Sequence, residues 1–311
     1  MTQARTTTIV GEAPVPEGSL LDRLLAAELL VPTGVQGLYG RSAAYQDLAD
    51  AVSGLVRRWG AALGATRLHL PPVLARETFG RTNYVESFPD LMGSVHVFHG
   101  GDAEHKELLR RIEGGGDWSA LLQPAEVVLG SAACHGVYPL CGDRVPDGGR
   151  YFDVASYCFR HEPSSQAARM QAFVMHELVY VGDAEGAQAH RDTGLARGLA
   201  LLGSLGLPME AVPANDPFFG RVGAVLAADQ LAGELKLEGV TTLAGDDAPT
   251  AVMSANCHRD HFGHAFGIEA AGGPAHSACV AFGIDRVVVA LLSCHGLDPA
   301  AWPGAVRSQL R

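Results

Sequence analysis

Residues 159–173, FRHEPSSQAARMQAF, combine the residue types that a nucleotide-binding hairpin needs. Arg160 and Arg169 can each make planar, bidentate contacts with phosphate or carboxylate groups. Glu162 can accept a hydrogen bond from an amino group such as that of adenine, and Phe173 offers a ring face on which a base can stack. Cross-strand ion pairs on a surface hairpin would use the same residue types, so this segment alone leaves both interpretations open.

A second segment with chemical potential is AFGIDRVVVALL, residues 281–292. Gly283 allows close approach of the backbone, and Arg286 stands where an apolar helix is expected to begin. The positive end of a helix dipole disfavours a cation at that position, so the arginine is expected to face an anion.

The chain has six cysteines, which could act as metal ligands, catalytic groups or small core residues. They include no CxxC pair and no zinc-finger spacing, so any metal site must be assembled from distant segments. A disulfide scaffold is not expected in a long chain of this kind. The cysteines are Cys134, Cys141, Cys158, Cys257, Cys279 and Cys294.

The spacing of apolar residues predicts the elements that would position these groups. From residue 43 to 63 apolar side chains recur at steps of three and four, which predicts an amphipathic helix, and RLHLPP predicts a short strand stopped by Pro71 and Pro72. Residues 151–160 and 171–182 predict two strands of a hairpin. The other expected elements are strands and loops over 75–103, a helix over 104–113, a short helix and then a strand and loop over 123–142, a helix over 184–205, strands near 231–240 and 249–256, and a closing strand followed by a helix from about Ile284.

This order of elements predicts an α+β domain built on a mainly antiparallel sheet. The sequence has no GxGxxG after a first strand and no GxxxxGK[ST], so neither the Rossmann nor the P-loop mode of nucleotide binding has support.

Composition narrows the class of protein further. With 47% hydrophobic and 18% charged residues, the 311-residue chain has the make-up of a globular protein. The N-terminus lacks the apolar stretch of a secretory signal, and no apolar run is long enough for a membrane span, so a cytoplasmic protein is expected. A net charge of −11 argues against a protein whose main task is to hold a large nucleic acid. The basic clusters at Arg57–Arg58 and at residues 106–111 are expected to be solvated helix faces.

Three segments, in this order, resemble the signature motifs of class II aminoacyl-tRNA synthetases. Residues 43–74 resemble motif 1, residues 158–173 resemble motif 2 with Arg160 and Glu162 in its conserved positions, and residues 281–292 resemble motif 3 with Arg286. Within that class the chain most resembles the amino acid:[carrier protein] ligases, truncated homologues of the atypical seryl-tRNA synthetases. The further segments that carry this resemblance are CHGVYP, RMQAFVMHELVYVG, NDPFFGR, SANCHRDHFG and HSACVAFGIDR.

The resemblance implies a particular organisation of the chain. Residues 1–20 would be a loose leader, and residues 21–311 a single class II catalytic domain, with helices flanking a mainly antiparallel sheet and no separate tRNA-binding domain. Motif 1 would form a homodimer, through the apolar stripe of its helix and through its proline-ended strand.

The resemblance also implies a zinc ion in the amino-acid pocket, held by Cys134, Glu177 and Cys279. Two thiolates and a carboxylate leave one tetrahedral position open, which the α-amine of the substrate can fill. A single buried cysteine is more often a small core residue, but a carboxylate in the apolar run around Glu177 needs a partner. His135, His176 and His276 are expected to support or pack around the site rather than to bind metal.

By matched position, the ATP site would be built from five residues of motifs 2 and 3. Arg160 would bind the α-phosphate and the substrate carboxylate, and Arg169 the outer phosphates. Glu162 would accept a hydrogen bond from the adenine amino group, and Phe173 would stack on the adenine ring. Arg286 would cover the other face of the base or bind the γ-phosphate. Arg160 and Arg286 are therefore the expected catalytic residues.

Magnesium would accompany ATP, with Glu238 as a candidate ligand. Substrate binding would draw on the zinc ligands and Arg160, together with Asp216, Lys236, Ser254 and Asn256, each of which could instead be a hydrogen-bonded structural residue.

The function implied is ATP-dependent activation of a small amino acid as its adenylate, followed by transfer to the phosphopantetheine thiol of a carrier protein. Because carrier proteins are commonly acidic, their docking would require a local basic patch such as residues 106–111. One alternative is a diverged seryl-type tRNA synthetase, although the acidic chain makes tRNA an unexpected partner. Another is a non-catalytic synthetase paralogue, which would be expected to have lost an ATP-site arginine or a zinc ligand, whereas all of them are present.

Overall fold

The computed structural model describes residues 18–214, 216, 235–246 and 248–311. The strands are β1 Leu30–Pro32, β2 Tyr39–Arg41, β3 Thr66–His69, β4 Val73–Ala75, β5 Ser94–Phe98, β6 Leu122–Leu129, β7 Arg150–Phe159, β8 Ala172–Gly182, β9 Glu210–Pro213, β10 Lys236–Thr241, β11 Thr250–Arg259, β12 Glu269–Ala270, β13 Gly273–Pro274 and β14 His276–Gly283. The α-helices are α1 Leu20–Ala26, α2 Ala43–Ala62, α3 Arg76–Gly80, α4 Tyr84–Ser87, α5 Asp102–Glu113, α6 Ala184–Ser204, α7 His261–Phe266, α8 Ile284–His295 and α9 Gly304–Gln309.

The centre of the fold is a seven-stranded sheet in the order β3-β7-β8-β14-β11-β10-β9. All of its neighbouring pairs are antiparallel except β3 with β7, which is parallel. The predicted hairpin is confirmed: β7 and β8 pair along their whole length, from Arg150 opposite Val181 to Phe159 opposite Ala172. The sheet is thus mixed and mainly antiparallel, as the sequence predicted.

Helices α2, α6 and α8 cover one face of the sheet and enclose the larger hydrophobic core. Two glycines allow α6 to lie directly on the strands, because a Cβ atom at Gly194 would collide with Val280 and one at Gly198 would collide with Met253. The second core lies on the opposite face, where residues 133–141 and α7 pack against β7, β8 and β14. Cys134 and Cys279 belong to this second core.

The motif 1 helix, α2, matches its predicted bounds. The Ser42 hydroxyl caps it by accepting a hydrogen bond from the Tyr45 backbone at 3.3 Å, and Leu63 is its C-cap. Its apolar stripe, however, is buried within the same chain, with Tyr45, Val52 and Trp59 between 0% and 5% exposed. The expectation that this stripe pairs with a second copy is therefore wrong, because the stripe packs on the sheet and on α8.

A small three-stranded sheet, β4-β6-β5, precedes the central hairpin and corrects two predictions. The short helix expected over 123–142 is instead the middle strand β6, in which β-branched Val127 and Val128 pair with β4. The stretch predicted as strands and loops over 75–103 also contains the short helices α3 and α4. Pro124 is accommodated in β6 opposite His96, next to a register shift in β5.

The start of the chain differs slightly from the predicted leader at residues 1–20. Ser19 caps α1, and Leu20 is the first residue of that helix, with a buried side chain. The rest of the leader, residues 231–234 of the strand expected near 231–240, and most of NDPFFGR lie outside the described residues. No helix in the described part of the chain is long and apolar enough to cross a membrane.

Candidate active site

Sheet register brings six of the predicted site residues onto one face. Glu177 on β8 is opposite Ala281, which is opposite Ser254, which is opposite Glu238. In the adjacent row, Cys279 is opposite Asn256, which is opposite Lys236. Because opposite residues and residues two apart on a strand point the same way, both rows project from the same face.

Cys134, Glu177 and Cys279 form a compact buried cluster. Their ligand atoms all lie within 4.8 Å of one another. Cys134 comes from the short 3-10 helix Ala133–Gly136, and its backbone N–H donates to Glu177 Oε1 at 3.0 Å, which holds the carboxylate toward the thiols. Asn256 Nδ2 donates to Cys279 Sγ at 3.4 Å. Two sulfur donors and one oxygen at this spacing fit a zinc ion with one position left open.

The surroundings raise the pKa of both cysteine thiols. The hydrogen bond to Cys279, burial and the nearby Glu177 carboxylate raise the pKa of Cys134 well above its usual value. The hydrogen bond with Cys134 lowers the pKa of Cys279, but burial and Glu177 outweigh it, and the net shift is upward. Binding of a metal cation would therefore release protons from this cluster.

Three arginines meet near the end of the β7–β8 hairpin. Arg160 follows β7 directly, donates from Nε to the Ser131 carbonyl at 3.2 Å, and lies over the Phe173 ring with 5.7 Å between its guanidinium carbon and the ring centroid. Arg286 donates to the carbonyls of Ala168 and Ala251 at 3.1 and 3.0 Å. Burial and the charges of Arg160 and Arg169 lower the pKa of Arg286 to about 10. Such mutual repulsion marks a site suited to a polyanion.

Two of the residues proposed to contact ATP form an ion pair with each other in this structure. Arg169 Nη1 and Glu162 Oε1 are 2.9 Å apart, with 47% and 23% of their side chains exposed. Nucleotide binding at both residues would require this ion pair to separate.

A second charged group lies at the other end of the site face. Lys236 Nζ is 2.5 Å from Asp216 Oδ1 and 3.1 Å from Glu238 Oε1. Burial opposes the ammonium charge, but the two carboxylates outweigh it and raise the pKa of Lys236. Ser254 Oγ accepts from Asn256 Nδ2 at 3.1 Å, so the amide of Asn256 connects this region to Cys279.

With this geometry in place, comparison with known proteins is informative. The chain is 43% identical over 306 residues to amino acid–[acyl-carrier-protein] ligase 2 of Bradyrhizobium diazoefficiens. This alignment covers 96% of the present chain and 91% of that protein. It is 42% identical over 289 residues to ligase 1 of the same organism, covering 92% and 88%. The chain belongs to the amino acid–[acyl-carrier-protein] ligase family.

The fold of this ligase-family chain is shared with seryl-tRNA synthetases. M. kandleri SerRS, in its complex with A. aeolicus tRNASec, superposes with a TM-score of 0.80 and 22% identity over 97% of this chain and 63% of that one. The predicted class II synthetase catalytic fold is confirmed. No family model matches the sequence.

The three histidines expected to support or pack around the site have different surroundings. His176 projects from the opposite face and pairs with Asp153 at 2.6 Å, so it is a core residue away from the cysteine cluster. His135 is packed among Phe79, Tyr84 and Phe262, and burial lowers its pKa to about 3. His276 is only partly buried at the start of β14.

Sequence reasoning missed His258, which contacts the cluster. Its Nε2 is 3.7 Å from Cys279 Sγ and its Nδ1 is 3.1 Å from Ser277 Oγ. It follows Asn256 by two residues on β11, so strand alternation places its side chain on the same face as Ser254 and Asn256, next to the register shift between Cys257 and Arg259. Its one sequence signal was its place two residues after Asn256 in SANCHRDHFG.

Proposed function

We propose that this protein activates a small amino acid with ATP and transfers it to the phosphopantetheine thiol of a carrier protein. The observation that carries the proposal is the buried Cys134–Glu177–Cys279 cluster in a chain 43% identical to a carrier-protein ligase, and the three arginines near the end of the β7–β8 hairpin support it. In the first step the amino-acid carboxylate attacks the α-phosphorus of ATP, and pyrophosphate leaves. In the second, the thiol attacks the adenylate carbonyl, a thioester forms and AMP leaves.

The arginines would act by orientation and charge neutralisation, because the reaction needs no nucleophile from the protein. Arg160 is the residue best suited to bind the α-phosphate and the substrate carboxylate. Of its three side-chain nitrogens, only Nε makes a hydrogen bond within the described residues, so the other two can bind a ligand. Arg169 would take the outer phosphates and Glu162 the adenine amino group. Phe173 and Arg286 would enclose the base, or Arg286 would bind the γ-phosphate.

The amino acid would be held beside the nucleotide. Cys134, Glu177 and Cys279 would hold a zinc ion, whose open coordination position would bind the α-amine of the substrate. Asn256 fixes the Cys279 sulfur from the side, and Ser254, Lys236 and Asp216 would form the remaining wall. Magnesium would enter with ATP, and Glu238 is its candidate ligand once the contact with Lys236 is relaxed.

Carrier docking is proposed at α5, although not through the basic patch first expected there. Arg110 and Arg111 share the Glu107 carboxylate, at 2.7 and 3.0 Å. With four acidic and three basic side chains in DAEHKELLRRIE, the helix carries no net positive charge. What α5 offers is apolar surface: none of its residues is buried, and Leu109 and Ile112 are 45% and 53% exposed, near Trp118 at 54%. An apolar patch with a mixed polar rim suits a protein partner of this reaction.

The reaction is proposed to occur in the cytoplasm, in a homodimer. The motif 1 strand β3 is an edge of the central sheet, and Thr66, Arg67 and His69 are exposed along it. An open edge strand favours pairing with a second copy.

The deciding experiment is amino-acid-dependent ATP–pyrophosphate exchange across a panel of amino acids, followed by transfer assays. Exchange with a small amino acid such as glycine or alanine, lost on removal of zinc by a chelator and restored by added zinc, is the expected result. The activated amino acid should then pass to a phosphopantetheinylated carrier. Absence of exchange with every amino acid would overturn the proposal, and transfer to tRNA instead of the carrier would establish the seryl-type alternative.

A further inference from the structure

The carboxylate of Asp285 has no part in the reaction described above, yet it is among the best-connected groups in the molecule. It is 1% exposed and lies in the first turn of α8, immediately before Arg286. Oδ2 accepts from Arg41 Nη2 and from the Val174 backbone N–H, both at 2.7 Å. Oδ1 accepts from the Tyr45 hydroxyl at 3.2 Å.

These donors come from three separate elements. Arg41 ends β2, Tyr45 is in the first turn of α2, and Val174 is on β8. The carboxylate therefore joins the start of the motif 1 helix to the motif 2 hairpin and to the motif 3 helix. Arg41 is itself oriented by Tyr157, whose hydroxyl accepts from Nη1 at 2.9 Å and whose ring lies 4.9 Å from the guanidinium carbon.

The hydrogen bond from Val174 to Asp285 joins β8 to α8, and each of these two residues is next to a residue of the proposed nucleotide site. Val174 directly follows Phe173, and Asp285 directly precedes Arg286. The hydrogen bond from Val174 to Asp285 thus sets the distance between the backbone that carries Phe173 and the backbone that carries Arg286. A base held between a ring and a guanidinium needs this gap fixed before it arrives, since small misplacements cost much of the binding energy.

We propose that Asp285 is a positioning residue for ATP: it fixes the spacing of Phe173 and Arg286, with Arg41 and Tyr45 as its supports. The proposal rests on the proposed function only in taking these two residues as walls of the nucleotide site. It implies that the motif 1 helix contributes to nucleotide affinity through Tyr45 without touching the nucleotide.

Asp285→Asn is the informative substitution. The amide keeps the shape of the carboxylate but has one acceptor oxygen in place of two, and it presents N–H groups to a site filled with donors. Arg41, with 7% of its side chain exposed, would be left without its counter-charge. Tyr45→Phe is the milder variant, because it removes one hydrogen bond and leaves the ring packing in place.

The matched control is Asp153→Asn. Asp153 is also buried on the helix side of the sheet and bonded to one partner, His176 at 2.6 Å, but neither residue adjoins Phe173 or Arg286. A purely structural effect of losing a buried carboxylate would appear equally in both variants as a lower unfolding temperature.

The experiment is calorimetric measurement of the Kd for magnesium ATP, which does not depend on turnover, followed by KM values for ATP and amino acid in the exchange assay. We expect Asp285→Asn to weaken ATP binding roughly ten- to a hundredfold, and Tyr45→Phe a few-fold, with the KM for the amino acid within twofold of wild type. Asp153→Asn should bind ATP as wild type does.

Several outcomes would overturn the proposal. They are wild-type ATP affinity in folded Asp285→Asn, equal weakening in Asp153→Asn, or no ATP binding by the wild-type chain. If Asp285→Asn does not fold, an unchanged Kd for Tyr45→Phe has the same force. ATP binding without amino-acid-dependent exchange in the wild type would reject the proposed function alone, while the ratio of Kd values would still test Asp285.

Discussion

Glu162 and Arg169, two residues of the proposed nucleotide site, form an ion pair with each other. Their ion pair, 2.9 Å long and partly exposed, is of a kind that contributes only about 0–1 kcal/mol to stability. Little free energy is therefore lost when the pair separates. In the proposed nucleotide site, ATP would offer both partners a replacement, an amino group for Glu162 and phosphate oxygens for Arg169.

The cysteine cluster leads to a prediction about metal content. Purified wild-type protein should carry about one zinc per chain, measured by mass spectrometry of the metal, and Cys279→Ser should carry far less because one of the expected thiolates is gone. Asn256→Ala should retain zinc but with roughly ten- to a hundredfold lower affinity, since Asn256 donates to the Cys279 sulfur.

Cys141→Ser is the matched control for that measurement. Cys141 is as buried as Cys134, at 4% exposure, but its sulfur donates to the Val137 carbonyl and is not part of the cluster of Cys134, Glu177 and Cys279. It should keep full zinc content. A Cys279→Ser protein that retains one zinc per chain would contradict the assignment of this site.

At the scale of single residues, the sequence was sufficient to predict a site residue where burial of that residue type requires a partner. A carboxylate in the run FVMHELVYV requires a partner, and Glu177 has one in the Cys134 backbone. His258 and Asp285 could not be found in the same way. The contacts of His258 with Ser277 and Cys279 join residues 19 and 21 positions apart, and those of Asp285 join residues 111 to 244 positions apart in the chain.

At the scale of elements, alternation and helical spacing predicted the β7–β8 hairpin and α2 because each is long and regular. The failure at β6 has a physical cause. Pro124 followed by Ala125 and Glu126 is a favourable helix start, but Val127 and Val128 and the neighbouring strands make the segment a strand. Local preference was overruled by pairing partners that the sequence does not reveal.

Helix α5 gives a prediction at this scale, because it is an element with no buried residue. Ile112→Ser should lower kcat/KM for transfer to the carrier by about five- to thirtyfold, corresponding to roughly 1–2 kcal/mol for truncating an interface anchor. ATP–pyrophosphate exchange should stay at the wild-type rate, because α5 contributes no residue to the site.

Val31→Ser is the control for this prediction, since Val31 on β1 is exposed to a similar extent, 49% against 53% for Ile112. Transfer should be unaffected by it. Equal transfer rates for Ile112→Ser and wild type would remove α5 as the docking surface and leave the activation chemistry untouched.

At the scale of the whole molecule, the fold and its class were predictable because three ordered motifs constrain one another, whereas the surface proposed here for a second copy was not. An apolar stripe on a helix has the same pattern whether it faces its own sheet or another chain. In α2 it faces the sheet, with Trp59 edge-on to Phe282 at 6.1 Å between ring centroids. The edge of β3 is exposed, and within the described residues no other strand pairs with its outer side.

The exposed edge of β3 leads to a prediction about the oligomeric state. Light scattering after gel filtration should give twice the chain mass of 32.6 kDa, because burying β3 against its symmetry mate satisfies the open backbone groups. Arg67→Glu combined with His69→Glu should shift the protein toward monomer, since a two-fold contact would bring the new like charges together. Arg307→Glu, an exposed substitution on α9, should leave the dimer intact. A wild-type monomer at micromolar concentration, or a dimer insensitive to the β3 charges, would show that this edge does not join the two copies.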